Sequence, residues 1–436
     1  MKKLELAKWA TQYALKQGAT ECEVSVSNAR NVEVEVRDKT LEKLKETTEN
    51  SLSIYIYLDN KFSGHFTNDL RKETLEKFIE QAVASTKYLA PDKYRKLLDP
   101  SYYPKDISLD LQLEDKSYNG LTTDRRIEIA KELEELAMSK SDKLISATAG
   151  FSDTIYSSAK VFSNGFEGKK HGTMYSVGVE VTAKDNDARP EDYAYTASRF
   201  FEQLPSMNEL ANEATTRALQ KIGQKKIESG NFDMLVENRA ASGLIGMLIG
   251  AMSAQALQQK NSFLENMLGK QVASEKLTIT DNPFIKGGMS SRLYDGDGIA
   301  AKQMVMIENG ILKNYYIDHY YGQKLEMELT SGGSSNLEFA LGTKDLNQLI
   351  TSIQKGILVT GFNGGNSNPT TGDFSFGISG MLIENGILTQ PIYEMNIAGN
   401  AIEFWSKLVE LGSDAYQGSA WYRPSLLFEN IYFSGI

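Results

Sequence analysis

The stretch Cys22-Glu-Val-Ser-Val-Ser-Asn-Ala-Arg-Asn-Val-Glu-Val-Glu-Val36 alternates apolar and polar residues at both ends, and Leu52-Ser-Ile-Tyr-Ile-Tyr-Leu58 repeats the pattern. Period two sends successive side chains to opposite faces, so each run predicts a half-buried strand. Asp59-Asn60-Lys61 offers a turn into a further strand around 62–66. Helical spacing brackets these strands. Leu6, Trp9, Ala10, Tyr13 and Ala14 precede them, with Gly18 as a stop. Leu75, Phe78, Ile79, Ala82 and Val83 follow, and Asn68 or Asp69 is placed to cap that helix. The order then recurs. Asp124 precedes a helix with Ile127, Ala130, Leu133 and Leu136; strands are expected near 144–151, 154–163 and 171–184, with Asn164-Gly165 as a turn; a helix over about 207–222 closes the segment.

Near residue 223 the composition changes. Twenty-seven of the 35 glycines fall at or after this point and eight before it. Such a half needs many positive-φ positions or close backbone approaches, as hairpins and bulges do. The hexapeptide Ile-Glu-Asn-Gly-Ile-Leu occurs at 307–312 and again at 383–388, and each Asn-Gly is a two-residue hairpin signal. Helices are expected over 239–260 and 344–355. The resulting fold class is α+β: N-terminal α/β layers with antiparallel strands, then a glycine-rich, mostly antiparallel β domain with a few helices. The expected units are 1–95, a linker over 96–114 around Pro100, a second α/β segment over 115–222 packed with the first, and 223–436.

Composition narrows the function. A length of 436 residues suggests two or three domains. The net charge of −10 argues against direct binding of nucleic acid through a broad basic face. Cys22 is the sole cysteine, so no internal disulfide forms and a reducing, cytoplasmic compartment is expected. Glu5 and Lys8 interrupt any apolar core after the opening lysines, so no secretory signal is expected. No run of about 18 apolar residues predicts a membrane span.

Familiar catalytic patterns are scarce. His65, His171 and His319 are separated by 106 and 148 residues, so no helical His pair for zinc exists. Ser157-x-x-Lys160 and Ser352-x-x-Lys355 match a short serine–lysine spelling that arises by chance in a chain this long. Cys22 reads as a buried strand thiol. Gly296-Asp-Gly298-x-x-Ala301 lacks the strand before and the helix after that a dinucleotide site requires. Asp295-x-Asp297-Gly298 lacks the closing glutamate of a calcium loop, since Met306 stands there. The glycine-flanked acids Asp295, Asp297 and Asp373 read either as turn caps or as a converging carboxylate site. Gly361–Gly372 reads as a long loop, either a functional surface or an irregular hairpin connection.

The run Asn368-Pro-Thr-Thr-Gly-Asp-Phe-Ser-Phe-Gly-Ile-Ser-Gly380 resembles the NPxTGDxSxGxxG stretch of the TldD/PmbA family. Ile383-Glu-Asn-Gly386, Glu394-Met-Asn-Ile-Ala-Gly-Asn400 and Arg423-Pro-Ser-Leu-Leu427 resemble its later blocks in the same order, and Ser163-Asn-Gly-Phe166 and Asp295-Gly-Asp-Gly298 fit upstream. The resemblance spans nearly the whole chain. It implies one of two kinds of protein. TldD-type chains carry HExxxH on a helix, with a C-terminal cysteine as a further zinc ligand, and hydrolyse small or unfolded peptides. PmbA (TldE)-type chains lack these residues and pair with a TldD-type chain.

Counting on from the strand Gly230-Asn-Phe-Asp-Met-Leu-Val236, the HExxxH window falls on Gly246-Met-Leu-Ile-Gly-Ala251. Gly246 and Ala251 stand where the zinc-binding histidines would be, and Met247 where the general base would be. Residues 412–424 hold no cysteine. The resemblance therefore implies a PmbA/TldE-type subunit with no catalytic or metal residue of its own. Zinc is expected in a paralogous TldD-type partner, and an unfolded peptide as the shared substrate. The alternative is a stand-alone homodimer that binds a peptide or protein without hydrolysing it. The family's older description as modulators of DNA gyrase fits that alternative, acting indirectly.

Overall fold

The computed structural model describes residues 2–436. In the first half the order is α1 (Lys3–Lys16), β1 (Glu21–Arg37), β2 (Thr40–Leu58), β3 (Lys61–Thr67), α2 (Lys72–Thr86), then α3 (Thr123–Met138), β4 (Leu144–Phe162), β5 (Glu167–Ala183), β6 (Glu191–Ser198) and α4 (Met207–Gln220). This is an αβββα unit written twice. The two units share one antiparallel sheet of order β3-β2-β1-β4-β5-β6, joined where β1 pairs with β4. Cys22, Val24 and Val26 of β1 pack with residues of α1 and α2. Val32, Val34 and Val36, on the same face of the strand, pack with residues of α3 and α4. One face of the sheet thus carries all four helices.

The strands expected at 144–151 and 154–163 are one strand. Asp153 occupies an inward position after Ala147, Ala149 and Phe151 and breaks the apolar alternation, yet β4 pairs with β1 straight through it. The reason is that Asp153 is neutralised from α3. Its carboxylate meets Arg126 at 2.5 and 3.0 Å and accepts the Tyr118 hydroxyl at 2.5 Å.

Residues 87–122 carry only two short 3-10 turns, Pro100–Tyr102 and Tyr118–Gly120. The segment is strapped down. Tyr320 donates to the Asp92 carboxylate at 2.6 Å, and the Arg95 guanidinium lies 3.6 Å from the Tyr320 ring centre.

The second half contains β7 (Gly230–Val236), α5 (Ser242–Ala251), α6 (Ala254–Gln258), β8 (Ile279–Asn282), β9 (Met304–Glu308), β10 (Ile311–Leu312), α7 (His319–Leu325), β11 (Asn336–Phe339), α8 (Leu346–Ser352), β12 (Lys355–Ser367), β13 (Asp373–Glu384), β14 (Ile387–Asn400), α9 (Ala401–Ser406), β15 (Leu408–Leu411), β16 (Trp421–Tyr422) and β17 (Leu426–Ser434). Two sheets form, β10-β9-β8-β11-β16 and β14-β13-β12-β7-β17-β15, and a further β14–β17 pairing curls the second into a barrel-like closure. Among the described strand pairs, β7–β12 and β11–β16 are parallel and the rest antiparallel. The helix expected over 239–260 breaks at Ser253, whose hydroxyl accepts from Ala256 N and caps α6. The helix expected over 344–355 shortens to α8, opened by a capping box between Asp345 and Gln348.

Both Asn-Gly signals form hairpin turns with positive φ at each residue: 49° and 76° at 309–310, 51° and 76° at 385–386. A Cβ on Gly310 would stand 2.2 Å from Ala273 O and 2.6 Å from Ser274 O. Gly310→Ala is therefore expected to destabilise the chain by about 2–4 kcal/mol, from left-handed strain plus overpacking. Gly243 on α5 has nothing within 4 Å of its Cβ position, and Gly243→Ala should be neutral or slightly stabilising. Urea unfolding of the two variants against wild type checks the contrast.

Candidate functional site

β7 lies inside its sheet between β12 and β17 and delivers the chain into α5. Leu244, Ile245, Leu248 and Ile249 bury one side of α5 in the main core. Ser242, Gly243 and Gly250 are exposed, with Gly246 and Met247 half-buried between them. The helix is thus one-sided, despite a sequence apolar nearly all round, because its outward positions are mainly glycine. Gly246 and Ala251 are five residues apart, about 140° around an α-helix, so they do not share a face. Ala251 is buried.

A Cβ at position 246 would meet only the Trp421 ring, at 4.0 Å. That ring comes from the 412–424 segment, which is stapled to the entrance of α5. Asn238 donates to Asp414 O at 2.6 Å, and the Asp414 carboxylate accepts from Ser425 N at 3.0 Å and Ser425 Oγ at 2.7 Å. Arg217 of α4 fixes the same entrance from the other half, donating to both Glu237 oxygens at 2.6 and 2.8 Å.

The donor set at positions 246, 247 and 251 does not fit a hydrolytic zinc. Glycine and alanine offer no side-chain ligand, and a thioether is a soft donor suited to other metals. Among the described residues, no three His, Cys, Asp or Glu side chains converge as a metal-binding group. Asn238, Asp414 and Ser425 went unnoticed in the sequence. The one available signal was the position of Asn238 two residues beyond the β7 pattern, where a strand gives way to a helix.

Of the remaining candidates, Asp297 accepts from His319 N at 3.1 Å and Lys160 donates to Gly296 O at 2.8 Å, whereas His65, His171 and Asp373 make separate contacts. His65 bonds Ser63 at 2.8 Å, His171 sits 3.9 Å from Glu114, and His319 bonds Lys96 O at 3.0 Å. Lys160 pairs with Glu23 at 2.5 Å, and Ser352 donates to Leu349 O. Asp295 accepts backbone N–H groups from Asp297, Ile299 and Gly332, whereas Asp373 binds Thr371 and Asn400. These acids act as turn caps and do not form one site. Most of the expected loop 361–372 is strand: Gly361–Asn363 and Asn366–Ser367 pair with β13 on either side of an irregularity at Gly364 and Gly365, both of positive φ. Burial, reinforced by Glu21 and Glu23, pushes the Cys22 thiol up to about 12. The native chain should therefore resist an aromatic disulfide reagent at pH 8 for an hour, and react with one equivalent once unfolded.

A doubled αβββα sheet joined to a glycine-rich β unit is the architecture of a three-part metallopeptidase fold. Models for PmbA/TldA metallopeptidase domain 1, central domain and C-terminal domain match residues 22–86, 116–222 and 229–435. The chain belongs to the PmbA/TldD family. It is 29% identical to the metalloprotease PmbA homologue of Haemophilus influenzae, covering 98% of this chain and 95% of that protein. A TldD homologue from Buchnera aphidicola matches at 29% over 54% of each chain. A crystal structure of a proposed modulator of DNA gyrase from Bacteroides thetaiotaomicron superimposes with a TM-score of 0.97 at 42% identity, covering 99% and 98% of the two chains. TldE of Thermococcus kodakarensis shares the fold, with a TM-score of 0.87 at 21% identity over 99% and 100% of the chains.

Proposed function

We propose that this chain is the non-catalytic, PmbA/TldE-type subunit of a cytoplasmic TldD/TldE-type zinc metallopeptidase acting on small or unfolded peptides. The observation that carries the reading is the helix α5, where Gly246, Met247 and Ala251, counted as the HExxxH positions, offer no zinc ligand, with Trp421 beside Gly246. Without a zinc ligand or a proton-transfer group there, water activation falls to a TldD-type partner. This chain completes the heterodimer and walls the chamber around the peptide. Backbone edges in its glycine-rich half support peptide capture by strand addition. Among the described residues no helix is long and apolar enough to cross a membrane.

The test is purification of the tagged chain from its own host. A relative carrying HExxxH is expected in equal amount. Recovery of this chain only as a homodimer would contradict the subunit reading and favour a stand-alone binding protein.

A further inference from the structure

A cavity of about 580 Å³ lies where residues 107–113, the start of β5 and the 289–294 loop meet. Lys169, Lys170, Arg199 and Arg292 line it, against one lining carboxylate, Asp110, whose Oδ1 already accepts from Gln112 N. In a chain of net charge −10 this is a local excess of positive charge.

The two arginines are occupied. Arg199, 4% exposed, donates to the carbonyls of Gly288, Met289 and Thr173 and to the Tyr156 hydroxyl. Arg292 donates to Ser334 O, Gly333 O and Ser331 Oγ. Neither has a carboxylate partner among the described residues.

Lys170 differs. It makes no hydrogen bond or ion pair among the described residues, and its ammonium stands 4.6 Å from the Tyr294 ring centre. Burial, together with Lys160 and Arg292, pulls it down to about 8. Tyr294 is 3% exposed and lines the cavity, yet its hydroxyl has no partner among the described residues. The ring fits there because residue 168 is glycine; a Cβ would stand within 2.4 Å of that hydroxyl.

Lys170 is half-buried, and because neither its ammonium nor the Tyr294 hydroxyl is engaged by the protein, both are free to bind an anion that enters the cavity. One free ammonium and one free hydroxyl match a singly charged carboxylate better than a phosphate dianion. Leu109, Leu111 and Leu293 supply an apolar wall beside them, and the volume is in the range of small-ligand sites.

We propose that this cavity binds the C-terminal carboxylate of a short peptide with an apolar last residue, held by Lys170 and the Tyr294 hydroxyl. That the carboxylate belongs to a peptide rests on the proposed function; the preference for a carboxylate does not.

The test is calorimetric titration of the purified full chain, without any partner, with acetyl-Leu-Leu-Leu as free acid, with the same peptide as C-terminal amide, and with inorganic phosphate. The acid is expected to bind at least tenfold tighter than the amide. Lys170→Met should erase that difference while leaving the circular dichroism and melting profile unchanged or improved. Tyr294→Phe, the gentler variant, should weaken acid binding several-fold. Equal binding of acid and amide, a preference that survives Lys170→Met, or displacement of the peptide by equimolar phosphate would each overturn the proposal. Because no partner is present, such a failure leaves the subunit reading intact, and co-purification leaves this one undecided.

Discussion

Asp153→Ala is expected to lower the stability of the first half by about 3–5 kcal/mol, the range for breaking a buried pair from one side. Arg126 and Asp153 are both fully buried at their side chains. Removing the carboxylate strands the guanidinium with Leu121 O as its remaining partner and leaves the Tyr118 hydroxyl without its acceptor. The cost is that of an uncompensated buried charge, not the loss of a favourable contact. The double variant Arg126→Met/Asp153→Leu should therefore recover most of the loss, since neither charge is then desolvated. Urea unfolding of the three proteins, followed in the far ultraviolet, makes the comparison. A single-variant loss below about 1 kcal/mol, in the range of exposed ion pairs, would contradict the account.

The second large effect is on catalysis. In the proposed pair with a TldD-type chain, replacing the glutamate of that chain's HExxxH is expected to lower peptide hydrolysis about 10⁴-fold, or about 5.4 kcal/mol at 1.36 kcal/mol per decade. Met247→Leu in this chain, a swap of similar volume on a half-buried position, should change the rate less than threefold. The asymmetry follows from where a proton can be moved. At position 247 this chain has a thioether, which neither accepts nor donates a proton in neutral water. A large loss from Met247→Leu would place chemistry on α5 and contradict the division of labour.

Much of this architecture was readable beforehand, and the failures have physical causes. Period two in β1 and β2 survived because one face of the sheet is covered by helices and the other is polar. The Asn-Gly turns survived because positive φ at both central residues is a local requirement. Asp153 misled, because a buried charge is invisible to alternation until its partner on α3, 27 residues earlier, is known. Gly361–Ser367 misled in the other direction: glycine and asparagine weaken strand propensity, but pairing with β13 overrides it. Ser253 divided a long apolar pattern because a capping hydroxyl outweighed continued periodicity.

The surroundings of α5 were not legible as a place. Gly246, Met247 and Ala251 follow from counting along the chain. The approach of Trp421 to Gly246 depends on the Asn238–Asp414–Ser425 staple, whose members lie up to 187 residues apart. The cavity around Lys170 left no motif at all. Lys169 and Lys170 fell between the strands expected at 154–163 and 171–184, and Arg199 and Arg292 come from segments distant in sequence.

The most direct measurement of the central claim is metal content and peptide hydrolysis for this chain purified alone, after exposure to one equivalent of zinc and buffer exchange. The account predicts substoichiometric zinc and hydrolysis at the uncatalysed rate. One retained zinc per chain, with peptide cleavage that a chelator abolishes, would contradict it.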